Sequence, residues 1–122
     1  MKEELFDRVN NIAQIIHDKK GFNILALDLK GISSITDCVL IAEANVNRHA
    51  KAIVDELRTK FSEKPYRVEG LEEGEWVVID YLDIVVHIFL PDIRHRYQLE
   101  TLWKESKIID LKLETPSSSA SI

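Results

Sequence analysis

Residues 69–102 read EGLEEGEWVVIDYLDIVVHIFLPDIRHRYQLETL. Two apolar runs stand in this stretch, WVVID at 76–80 and DIVVHIFL at 83–90, both rich in β-branched and aromatic residues. Only Tyr81 and Leu82 separate them, so the pattern predicts two antiparallel strands joined as a hairpin. Neither residue suits the left-handed backbone of a two-residue turn, and a longer or irregular connection is expected. Pro91 stops the second run. Asp92 can then cap a helix over 93–106 that carries Tyr97, Leu99, Leu102 and Trp103.

Upstream of the hairpin, YRVE (66–69) predicts a short strand. CVLIAEA (38–44) is nearly continuous in apolar residues, as a strand covered on both faces would be. NILALDL (23–29) predicts another strand, with GISSIT (31–36) as the turn between them. Residues 2–20 predict an amphipathic helix, with Leu5, Phe6, Val9, Ile12, Ala13 and Ile16 on one face. Gly21 is its expected stop. A second helix carries Val46, Ala50, Ile53, Val54, Leu57 and Phe61, capped by Asn45 or Asn47. This order, helix, two strands, helix, three strands, helix, predicts a single α/β domain over residues 1–110. It would hold a five-stranded mixed sheet with helices on both faces. Residues 111–122 are expected to form a disordered tail, the end of which (TPSSSASI, 115–122) is small and polar.

Composition narrows the function classes. The 122 residues carry 21 acidic and 16 basic side chains, a formal charge of −5. An acidic chain does not wrap nucleic acid non-specifically, so basic proteins are the natural partners and little direct nucleic-acid contact is expected. No segment approaches the ~20 apolar residues that span a bilayer. MKEELFDRV lacks the apolar core of a secretory signal, and a cytoplasmic protein without membrane contact is expected. The single cysteine, Cys38, reads as a small buried hydrophobe.

The enzymatic reading would use Asp37, Asp80 and Asp83 at strand ends, with Mg²⁺, as in phosphoryl transfer. Asp37 lacks a second acid two residues on, and GISS is not a phosphate-cradling loop. His17, His49, His87 and His95 have no zinc-ligand spacing. No catalytic residue, metal or cofactor is assigned. A binding surface has more support. Glu69, Glu72, Glu73 and Glu75 crowd a Gly-punctuated loop that delivers Trp76. With Tyr81, Arg94 and Tyr97 close by in sequence, this combination suits docking of a basic protein.

Four motifs then carry a resemblance: SSITDCVLIAEA, NRHAKAIVDEL, YRVEGLEEGEWVVIDYLDIVVHIF and RHRYQLETLW, in this order over residues 5–106. The chain resembles the Iojap-like ribosomal silencing factors, RsfS. That resemblance implies a nucleotidyltransferase-like topology without the catalytic acids, and no enzymatic activity. It implies binding to the large ribosomal subunit through its universal fourteenth protein, blocking small-subunit joining and repressing translation, with a homodimer when free. Carried onto this chain, the family surface falls on Trp76, Asp80, His87, Arg94, Tyr97, Leu99 and Glu100, to which the acidic loop adds Glu72 and Glu73. The chain departs from the family pattern at Ala44 and Leu82, where relatives carry glycine, and at Val46 and Asn47. The rival reading is a divergent nucleotidyltransferase-like enzyme using Asp37, Asp80 and Asp83 with Mg²⁺.

Overall fold

The computed structural model describes residues 2–115. Its elements run α1 (Glu3–Asp18), β1 (Phe22–Asp28), β2 (Cys38–Glu43), α2 (Asn47–Lys60), β3 (Arg67–Glu69), β4 (Trp76–Asp80), β5 (Ile84–Phe89), α3 (Pro91–Tyr97), a 3-10 helix (Leu99–Trp103) and β6 (Lys107–Ile108). The sheet has six strands in the order β3-β4-β5-β2-β1-β6, one more than expected. Only β2 and β5 run parallel. The added strand is a two-residue pairing of Lys107 and Ile108 with β1.

All six residues of β2 are buried, which explains its unbroken apolar run. Alternation sorts each strand onto two faces. Cys38, Leu40, Ala42, Val77, Ile79, Ile84, Val86 and Ile88 join the apolar faces of α1 and α2 in the larger core. Val39, Ile41, Leu27, Leu29 and Phe89 form the second core, covered by Ile93 of α3 and by Leu99 and Trp103 of the 3-10 helix. Helices therefore lie on both faces. Cys38 is fully buried, and burial with nearby acids pushes its thiol up to about 12, so it packs as a hydrophobe.

Helix ends depart from the sequence expectations. Neither Asn45 nor Asn47 caps α2; the cap position is Val46 and has no side-chain bond. Instead His49 Nδ1 accepts from the Asn45 N–H at 2.9 Å, and its other ring nitrogen reaches the Lys19 carbonyl at 2.8 Å. One imidazole thus ties the start of α2 to the end of α1. At that end Lys20, not Gly21, takes the left-handed conformation. Gly21 is needed for space, since a Cβ there would lie 2.4 Å from Ile16 Cγ2. Asp92 does not cap α3, which starts with Leu90 at the cap position and Pro91 in its first turn. The helix expected over 93–106 is broken at Gln98, whose φ is 45°.

The C-terminal strap passes residue 110, where the sequence places the start of a tail. Ile109, Leu111 and Leu113 pack on the larger core. Asn10 exchanges two hydrogen bonds with the Lys112 backbone, and Gln14 exchanges two with Glu114. The rest of the expected tail, residues 116–122, lies outside the described residues.

The hairpin connection is tight. The Asp83 N–H donates to the Tyr81 carbonyl at 3.1 Å, and Leu82 sits between them at φ 76°. The bond and the angle together describe a γ-turn with a bulky residue at its centre. An L-residue pays about 1–2 kcal/mol in this region. Leu82→Gly should therefore stabilise the fold by up to about 1 kcal/mol after the entropic cost of glycine, read as a higher urea midpoint with unchanged slope.

Candidate functional site

The hairpin register sets the site. Trp76 faces Phe89 and Val78 faces His87 across β4 and β5, so Trp76, His87 and Phe89 share one sheet face. Tyr97, at the end of α3, adds its ring to Trp76 at a centroid distance of 5.2 Å, while Phe89 lies 4.9 Å away on another side. The indole N–H donates to His87 Nδ1 at 3.0 Å. His87 is buried, and desolvation pushes its pKa down to about 4. It is neutral near pH 7 and able to accept at Nδ1. Tyr97 is 55% exposed and Trp76 half-buried, so the cluster has one wet side.

That wet side meets the acidic loop. Trp76, Val78, Ile93, Arg96 and Tyr97 line a hollow of ≈ 430 Å³ with Glu69, Glu73 and Glu75. Glu72 is exposed on the same loop. Gly70 lets the loop close on Trp76, because a Cβ there would fall 2.1 Å from the Trp76 carbonyl oxygen, and its φ of +80° favours glycine besides. Toward the other end of the face, Val78 and Val85 are half-buried and Ile35 and Leu82 exposed.

The remaining sequence candidates divide differently. Arg94 is only 13% exposed and bridges Glu43 at 3.0 Å and Glu100 at 3.1 Å. It also donates to the Asn23 carbonyl, so its guanidinium is occupied within the fold. Leu99, the first residue of the 3-10 helix, packs on the second core. Neither side chain is as open to solvent as the ring of Tyr97. Arg94, Glu43 and Glu100 line a neighbouring hollow of ≈ 440 Å³ with His95 and Gln98. Sequence reasoning missed Glu43, Asn23 and Phe89.

Asp80 lies at the opposite end of β4 from Trp76. One of its oxygens accepts from the Leu82 N–H at 2.8 Å, and the other faces Arg67 at 3.5 Å. Asp37, Asp80 and Asp83 do line one shallow hollow of ≈ 270 Å³. Asp83, however, spends both oxygens on Arg8 at 2.6 and 3.0 Å, which holds its carboxyl below the usual range. Arg8 also grips Glu63. Among the described residues no three acids, histidines or cysteines come together to hold a metal ion. No helix among the described residues is long and apolar enough to cross a membrane.

Lowering the pH should act on the aromatic cluster through His87. Its folded pKa lies below the unfolded 6.5, so the unfolded chain binds the extra proton between these values. The stabilising effect is present above pH 6.5 and is lost as pH falls toward 4, by up to about 3 kcal/mol. Protonation would also set Nδ1–H against the indole N–H. His87→Gln should flatten this stretch of the stability–pH curve relative to the parent; parallel urea-midpoint curves would disprove the assignment.

Comparison with known proteins places these residues in context. The family described as "Ribosomal silencing factor during starvation" matches residues 2–121. Ribosomal silencing factor RsfS of Bacillus subtilis is 40% identical over 97 residues, 77% of this chain and 82% of the relative. The same-named protein of Halalkalibacterium halodurans is 40% identical over 100 residues, covering 80% and 86%. A mouse protein named mitochondrial assembly of ribosomal large subunit protein 1 is 26% identical over 78% of this chain and 44% of its own length. A crystal structure from Chromobacterium violaceum matches with TM-score 0.76 at 28% identity, covering 95% of this chain and 97% of that one. One from Bacillus halodurans gives 0.73 at 35% identity, covering 90% and 100%.

Proposed function

The chain belongs to the family of ribosomal silencing factors, and from that membership we propose that it binds the large ribosomal subunit and blocks joining of the small one. The partner in this reading is the universal fourteenth protein on the intersubunit face. The mechanism is exclusion: a bound domain occupies the surface the small subunit would bridge, and translation is repressed without a chemical step. The protein acts in the cytoplasm and forms a homodimer when free of the ribosome.

The observation that carries this reading is the family match across nearly the whole chain. The aromatic cluster supports the choice of surface. Tyr97 and Trp76 present apolar area at small entropic cost, and buried aromatics are the usual anchors of interfaces. Glu72, Glu73 and the rest of the acidic loop suit a basic protein and would act mainly on the rate of encounter. Asp80 lies at the far rim of the same face, across from Val85, with Val78 between it and Trp76. Arg94 and Glu100 bridge one another and Leu99 packs on the second core, on the segments that flank Tyr97 in sequence.

Sedimentation with purified subunits tests the reading. The protein should travel with large subunits, not small ones, and should reduce reassociation. Equal binding to both, or undiminished reassociation, sinks it. Tyr97→Ala should lower large-subunit affinity by about tenfold or more with little change in melting temperature, because the ring is largely exposed. Trp76→Ala should lower both affinity and stability, the latter by roughly 2–3 kcal/mol, because its ring is packed among Phe89, Tyr97 and His87. Affinity and melting measured on the same two variants separate contact from packing. If Tyr97→Ala binds like the parent, the exposed ring is not part of the interface.

A further inference from the structure

The strand edge at β3 carries a feature the docking face does not use. Arg58, Lys64, Pro65, Tyr66, Arg67 and Val68 line a hollow of ≈ 350 Å³ with no carboxylate in its wall. Arg58 comes from the last turn of α2, and Lys64 to Val68 from the segment entering β3. Tyr66 is 70% exposed although it leads into a strand. Its N–H is fixed by the Asp80 carbonyl at 2.7 Å, so the residue is anchored through its backbone while its ring stands in solvent.

Charge makes this hollow an exception on an acidic chain. The nearby acids are committed elsewhere. Glu63 is held by Arg8 at 2.7 and 2.8 Å, and Glu69 and Asp80 are engaged by Arg67. Arg58 and Lys64 make no ion pair among the described residues. Unpaired lysines occur elsewhere on this surface; here two free cations converge with a third and an exposed aromatic ring around one concavity. Aromatic stacking beside a cationic groove is the chemistry by which proteins hold single-stranded nucleic acid.

We propose that this hollow takes a single-stranded segment of RNA, one base stacked on Tyr66 and the flanking phosphates met by Arg58 and Lys64. The inference rests on the docking reading for its setting, since the RNA would belong to the large subunit beside the partner protein. β3 is the edge strand beside β4, which carries Trp76, while Arg58 comes from α2 on the opposite face of the sheet, so the RNA would run along the rim of the docking face rather than across it. Nucleic-acid contact would be confined to this edge, consistent with the acidic balance of the whole chain.

Large-subunit affinity is measured against salt for the full chain, for Tyr66→Ala and for the double variant Arg58→Glu with Lys64→Glu. A fluorescein-labelled single-stranded RNA 12-mer is titrated in parallel. Tyr66→Ala should weaken both interactions by about tenfold. The double variant should weaken both and flatten the logarithmic salt slope by about 1.4, from about 0.7 for each lost phosphate contact. Melting temperatures should hold, because all three side chains are exposed.

Parent-like subunit binding and salt slope in both variants overturn the proposal. So does weakened subunit binding with an unchanged slope and no 12-mer binding, which would mean that the hollow meets protein. If the unmodified chain fails on large subunits, the docking reading falls, and the 12-mer arm alone decides: loss of oligonucleotide binding in both variants upholds the RNA site, and no binding by the parent removes it.

Discussion

Glu43 ends the central strand with its carboxylate in the interior, and much of the second face depends on how that charge is answered. A lone buried carboxylate costs several kcal/mol, so a partner must be brought to it. Arg94 comes from α3, 51 residues on, and meets it at 3.0 Å. The same guanidinium reaches Asn23 and Glu100. Glu100 can return to Arg94 because the chain reverses at Gln98 in a left-handed conformation. The helix break, the 3-10 turn and the seat of Leu99 and Trp103 on the second core are compatible with this one electrostatic demand. Tyr97 sits just before the break, which puts its ring over Trp76 rather than farther along a continuous helix.

A second ion cluster stabilises the other end. Arg8 in α1 holds Asp83 beyond the strained turn and Glu63 beyond α2. The hairpin end is thereby tied to the helical layer while Trp76, at its opposite end, is held by the aromatic cluster. Asp83 is engaged in structure, and Asp80 bonds the backbone of the turn. Two of the three strand-end acids that an enzymatic reading needs are thus spent on holding the hairpin.

Most of the sheet was legible because period-two alternation and the continuous run of β2 report burial directly. The hairpin and both long helices follow from such local patterns. What was not legible came from contacts distant in sequence. Nothing in RHRYQLETLW marks Gln98 as a break, since it is neither glycine nor proline and its conformation accompanies the Arg94 network. The capping work of His49 depends on Lys19, 30 residues earlier. Residues 109–114 are a different case. Ile109, Leu111 and Leu113 alternate with Asp110, Lys112 and Glu114, a half-buried extended pattern. The neighbouring small polar residues outweighed that pattern in the expectation of a tail from 111. For the candidate site, residue type pointed to Trp76, Tyr81, Arg94 and Tyr97 alike, and only the fold separates Tyr97, exposed beside Trp76, from Tyr81, which is buried against Phe61, and from Arg94, which is tied up in ion pairs.

The two sheet edges and the open face then divide the labour of the molecule. At one edge the β6 strand and the strap close over β1 and α1, satisfying backbone groups that an unpaired edge would expose. At the other, β3 is three residues long and flanked by charge, which limits strand addition by another chain. The remaining surface is the partly covered face between them, where an aromatic cluster is braced by a neutral histidine below and an ion network behind. A binder that acts by excluding another body needs a face that keeps its shape, because ordering side chains on contact subtracts from affinity. The Trp76–His87 hydrogen bond and the Arg94 bridges pay that ordering cost during folding. The geometry therefore suits occupation of a surface, with rigidity supplied by the buried polar groups that a sequence motif would suggest as contacts.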